Sequence, residues 1–130
     1  MGGWGTLAWL GAQDPGTARV RSAAVVYPSC FDLEPLVTTI PVLMLLGDAD
    51  DIADPSVCQR LVESSPANRS FTVHRYPNAR HGFDAQGAPT FLDIGKGMSV
   101  GYQEAAAIES WAHLMDFFTK TAKSATANSE

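Results

Sequence analysis

Solid apolar runs alternate along this chain with segments whose apolar residues recur at helical spacing, and turn residues separate the two. Gly2–Gln13 (GGWGTLAWLGAQ) reads as a short buried helix, stopped by the turn cluster Asp14-Pro15-Gly16. Val20–Tyr27 (VRSAAVVY) is a predicted strand whose unbroken apolar end implies burial on both faces. Pro28–Thr39 follows as a loop, with a helical turn expected near Leu33–Val37. Pro41–Gly47 (PVLMLLG) is a second strand, its proline tolerated because it opens the element. Asp54-Pro55 supplies a helix N-cap with proline at the first helical position. That helix runs to about Ser65 with Val57, Leu61 and Val62 on one face, and Pro66 stops it. Phe71–Tyr76, β-branched and aromatic, is a third strand. The glycine-rich stretch from Gly82 to Gly101 reads as irregular. Tyr102–Lys120 is the clearest helix, with Ile108, Trp111, Met115 and Phe118 in one apolar stripe. Thr121–Glu130 is small and polar and reads as a disordered tail.

Helices alternating with strands predict an α/β fold, a short parallel sheet of about three strands flanked by helices, in one domain over residues 1–120. In such a sheet the loops after every strand open on one edge. Pro28–Glu34, Gly47–Asp54 and Pro77–Asp84 are therefore expected together, and the candidate site belongs there. Two of those loops carry chemistry. One holds the acids Asp48, Asp50 and Asp51; the other holds His81, in the run Arg80-His81-Gly82-Phe83. A neutral imidazole takes a hydroxyl or thiol proton near pH 7, and a carboxylate can hold its tautomer and stabilise the imidazolium. The acidic run lacks the glycine and distal glutamate of a Ca²⁺ loop, so no metal site is expected.

The stretches Met1-Gly2-Gly3-Trp4-Gly5-Thr6, Leu46-Gly47-Asp48-Ala49-Asp50, Tyr76-Pro77 with His81-Gly82-Phe83, and the closing Trp111 to Phe117-Phe118 helix resemble the C-terminal portion of the dienelactone hydrolase family. The resemblance implies an α/β-hydrolase fold, here truncated, and hydrolysis of small carboxylic esters or lactones through an acyl-enzyme, with no cofactor. It puts the triad acid on Asp50 and the histidine on His81. The family's elbow pattern, Gly-x-Ser/Cys-x-Gly, is matched only in its last two positions by Met1-Gly2. Its nucleophile would then immediately precede Met1, and Met1 would be a possible oxyanion donor. Cys30 and Ser29 follow the strand that would adjoin the elbow strand, which makes them possible substitute nucleophiles. A chain without that nucleophile could instead be a non-catalytic fragment or pseudo-enzyme.

Composition narrows the partners. A net charge of −5 without clustered Lys or Arg argues against nucleic acid. No apolar run reaches membrane-spanning length, and the start lacks a signal-peptide pattern, so no membrane association is expected. Two cysteines make no disulfide framework, which points to the reducing cytoplasm. Asn68-Arg69-Ser70 matches the glycosylation pattern by chance. The expected partners are a small-molecule ester or lactone and a second copy of the chain, since Val20–Tyr27 would be an apolar, unprotected sheet edge.

Overall fold

The computed structural model describes residues 2–13 and 19–128. The chain runs α1 (Gly2–Gly11), β1 (Ala23–Val26), β2 (Val42–Gly47), α2 (Pro55–Ser64), β3 (Phe71–Tyr76), β4 (Leu92–Gly95), β5 (Met98–Val100) and α3 (Glu104–Asn128). β1, β2 and β3 form the parallel sheet in that spatial order, with Ala23 opposite Val42 and Val42 opposite Phe71. β2 is central and buried at every position, which is why its sequence is a continuous apolar run rather than an alternation.

The pleat sends successive residues of β2 into two cores. Val42, Met44 and Leu46 pack with Leu7 and Leu10 of α1 and Cys58, Leu61 and Val62 of α2. Leu43 and Leu45 pack on the opposite side with Tyr76, Phe83 and Ala106, and Leu114 and Phe117 of α3 lie against that cluster. The start of α2 is as its sequence implies: the Asp54 carboxylate accepts the Ser56 N–H at 2.9 Å, and Pro55 opens the helix.

Four sequence expectations are corrected. Leu33–Val37 holds no helical turn, so the β1–β2 connection is irregular throughout. β4 and β5 form an antiparallel hairpin within the stretch read as irregular. α3 continues to Asn128, past the expected end at Lys120 and through most of the segment read as a tail. Its predicted stripe, Ile108, Trp111, Met115 and Phe118, faces outward, each residue at least 45% exposed. α3 carries a second set of residues at helical spacing, Ala106, Ser110, Leu114 and Phe117, and the sheet takes that face because the small residues Ala106 and Ser110 allow close approach.

β3 meets α3 through histidines. The rings of His74 and His113 stack at 3.6 Å, and the Tyr76 hydroxyl lies 2.7 Å from His113 Nδ1. Burial, and then the neighbouring His113, hold the His74 imidazole below its ordinary pKa. A base with a depressed folded-state pKa contributes stability that is complete above its unfolded value of about 6.5 and is lost as pH falls through the folded value. Urea midpoints are therefore expected to decline as pH drops below that range, and a His74→Phe variant to show a flatter profile there. An identical decline in the variant would show that His74 is not the group responsible.

Candidate functional site

The acid and histidine loops follow adjacent parallel strands and are fastened to each other by the backbone. Asp48 N–H donates to the Tyr76 carbonyl at 3.0 Å, and Ala49 N–H donates to the Ala79 carbonyl at 2.9 Å. Gly47 permits this approach, because a β-carbon there would collide with the Ala79 carbonyl oxygen. His81 Nδ1 then lies 2.9 Å from Asp50 Oδ2.

Asp50 is a buried carboxylate with its valences filled, its side chain 1% exposed. The Ile52 and Ala53 N–H groups donate to its Oδ1 at 2.9 and 2.8 Å, leaving Oδ2 for the histidine. Those three bonds compensate its desolvation and fix the direction in which it accepts. The other acids of the run have separate duties. Asp48 pairs with Arg75 at 2.6 Å on the surface, Asp54 caps α2, and Asp51 bonds Ser99. Asp51 and Asp54 are both held below the ordinary aspartate range, each chiefly by the hydrogen bonds it accepts, from Ser99 and Ser56.

His81 is 27% exposed, so its ring is reachable from solvent. With Nδ1 committed to Asp50, Nε2 has no hydrogen-bond partner among the described residues. An imidazole oriented in this way can accept a proton at Nε2 and hand it on.

Tyr27, at the end of β1, walls the histidine. Its ring centroid is 4.5 Å from that of His81 and 5.4 Å from that of Phe83, and its hydroxyl donates to Asp84 Oδ1 at 2.9 Å. Burial, followed by the Asp84 bond, pushes the phenol up to about 12, so it stays protonated as a donor. The Tyr27 backbone has a positive φ of 38°, costly for a residue with a side chain. The strand pattern alone gave no sign of this residue, although it ends the predicted first strand. A groove of about 430 Å³ is lined by Asp84, Tyr102, Ile108, Trp111 and Leu114, but not by Tyr27 or His81.

Cys30 is corrected as a nucleophile: it is bonded to Cys58, so it has no thiol to ionise. It is buried in the core on the α1 and α2 side of the sheet, whereas Tyr27 and Phe83, which flank His81, belong to the opposite core. The same bond corrects the expectation that the two cysteines build no disulfide. Ser29 is exposed, and among the described residues its Oγ accepts only a long 3.5 Å bond from the Phe31 N–H. Met1 lies outside the described residues. No cluster of three or more metal-ligating side chains occurs among the described residues.

The model of the Dienelactone hydrolase family matches residues 1–122. The chain belongs to the dienelactone hydrolase family. Among solved structures, it is similar to one described as "Crystal Structure of Putative Dienelactone Hydrolase from Klebsiella pneumoniae subsp. pneumoniae MGH 78578", with a TM-score of 0.57 and 18% identity. That likeness, which supports the α/β-hydrolase fold, covers 76% of this chain and 42% of the neighbour, so the chain spans less than half of the neighbour's length. No curated protein matches the chain. Within the dienelactone hydrolase resemblance, Asp50 and His81 are the residues the structure brings together, and Ser29 and Cys30 are not brought to them by any contact among the described residues.

Proposed function

We propose that this chain takes part in hydrolysis of small carboxylic esters or lactones, with His81 as general base and acid, Asp50 as its orienting partner, and an acyl-enzyme intermediate. The observation that carries this reading is the 2.9 Å bond from His81 Nδ1 to an Asp50 carboxylate whose other oxygen is already held by two backbone N–H groups. In the acylation step the nucleophile's oxygen or sulfur forms a bond to the carbonyl carbon while its proton moves to Nε2. The same proton then passes to the leaving alkoxide as the ester bond breaks, and water repeats the sequence to release the acid. The groove that reaches Asp84, the hydrogen-bond partner of the Tyr27 hydroxyl, supports a small substrate with an apolar portion.

Ser29 is the remaining candidate nucleophile among those the sequence offered. Turnover of p-nitrophenyl acetate by the chain, lost in Ser29→Ala with circular dichroism unchanged, supports that assignment. Unchanged turnover in Ser29→Ala removes it. A second reading, a chain that folds without turnover, is favoured by the Cys30–Cys58 bond, which leaves Cys30 no thiol. Its mark is a folded chain with no turnover.

The compartment belongs to this proposal too. Among the described residues no helix is long and apolar enough to cross a membrane. The Cys30–Cys58 bond weighs against the cytoplasmic placement expected from the sequence, because such bonds persist in oxidising surroundings.

The outward stripe of α3 and the unpaired side of β1 support association with a second copy. Light scattering is expected to give the mass of a dimer, and Trp111→Glu, at a residue 66% exposed, to shift it toward monomer. A monodisperse monomer at working concentrations would rule the association out.

A further inference from the structure

The β4–β5 hairpin is tied to both loops of the candidate site through one residue. Ser99 in β5 is 4% exposed although it is polar. Its N–H donates to Asp51 Oδ1 at 2.8 Å and its hydroxyl donates to Asp51 Oδ2 at 2.7 Å. Arg80 Nη1 donates to the same hydroxyl oxygen at 2.9 Å. Asp51 is the residue after Asp50, and Arg80 is the residue before His81. Ser99 therefore connects the acid loop to the histidine loop by a route that does not pass through the sheet.

The hairpin is also fastened along the histidine segment. Val100 forms a parallel bridge with His81, and the Gly101 N–H donates to the His81 carbonyl at 3.2 Å. Gly101 lies so close to the start of the hairpin that a β-carbon would collide with the Thr90 carbonyl oxygen. The Arg80 guanidinium, besides bonding Ser99, sits 4.9 Å over the ring of Phe91. Arg80 is thus held from two sides, and Asp51 is gripped through both of its carboxylate oxygens, which fixes the linkage in direction as well as in length.

We propose that Ser99, held between Asp51 and Arg80, is a positioning residue that sets the contact between His81 and Asp50. It touches neither ring nor carboxylate, and acts through the residues next to them. The sheet and the Ala49–Ala79 backbone bond fix the two loops at their bases; the serine linkage adds a tether through the residues next to Asp50 and His81. Productive geometry in a proton-relaying pair tolerates little drift, so a second tether at this point has a chemical consequence. The proposal rests on the reading of His81 and Asp50 given above, and concerns how that pair is held.

The test reads the pair directly. A proton shared between an imidazole nitrogen and a carboxylate resonates far downfield in proton NMR, and loss of the signal in Asp50→Asn assigns it. In Ser99→Ala the signal is expected to broaden and its exchange with solvent to rise about tenfold, the scale of one lost hydrogen bond. Amide protection in β2 should stay unchanged, and Ser99→Thr should restore the sharp signal. Arg80→Met, which removes the histidine side of the linkage together with the Phe91 contact, is expected to act in the same direction. An unaltered signal and exchange rate in both Ser99→Ala and Arg80→Met overturn the proposal. A wild-type chain without the signal overturns it together with the contact it concerns. A chain that shows the expected NMR changes but hydrolyses no ester keeps the tether and rejects the proposed function.

Discussion

Replacing His81 with alanine is expected to lower ester turnover roughly 10⁴-fold, the scale seen when a member of a nucleophile–histidine–acid unit is removed. The site's geometry gives the reason. With Nδ1 held by Asp50, Nε2 is the nitrogen placed to move a proton, and no other imidazole stands near it: His74 and His113 are stacked on each other between β3 and α3. Asp50→Asn should be comparably damaging by a different route. The amide can keep one oxygen for the Ile52 and Ala53 N–H groups, but it then presents an NH₂ to Nδ1. That arrangement selects the tautomer with its proton on Nε2, which cannot act as a base. Asp48→Asn, which alters a surface pair with Arg75, is the control and should leave the rate within a factor of about two. Measured with p-nitrophenyl acetate at constant fold, turnover indifferent to His81→Ala would end the assignment of this pair to catalysis.

The second large effect is on stability. The Cys30–Cys58 bond closes a loop across 28 residues and ties the segment after β1 to α2. For a loop of that length, chain-entropy reasoning gives about 3.5 kcal/mol lost on reduction or in a Cys30→Ser, Cys58→Ser double variant. Against a typical total of about 5–15 kcal/mol, this is a large share. Equilibrium urea unfolding with and without reductant measures it, and coincident curves would show that the bond contributes nothing. The same double variant also bears on the chemistry. If hydrolysis persists in it under native conditions, Cys30 has no part in turnover, as its bond to Cys58 implies.

Much of the fold was legible because its central strand is so uniform. The run Val42–Gly47 cannot be an amphipathic surface strand, and burial on both faces requires helices on either side. Asp54-Pro55 marked the start of α2 because capping and proline preference act within a few residues, whereas the turn cluster Asp14-Pro15-Gly16 lies outside the described residues. The β4–β5 hairpin was not legible. Its residues Leu92–Gly95 are exposed throughout and show no alternation of buried and open positions, so its order comes from Asp51, Arg80 and the Val100–His81 bridge. The stripe of α3 misled for a related reason: spacing shows that residues share a face, but not which face meets the sheet.

The sequence by itself determined what is local or periodic: the Asp54 cap of α2, the parallel strand pattern, and an acid and a histidine each placed after a strand. These follow from propensity and pleat, which act over a few residues. The family resemblance already pointed to Asp50, and only the tertiary structure decided that the two side chains meet, that Tyr27 lies against the imidazole, and that Cys30 is joined to Cys58 rather than free. Such choices depend on distances between residues about 30 to 55 positions apart, set by strand register and by the space left at Gly47. No window of sequence contains both partners of such a contact.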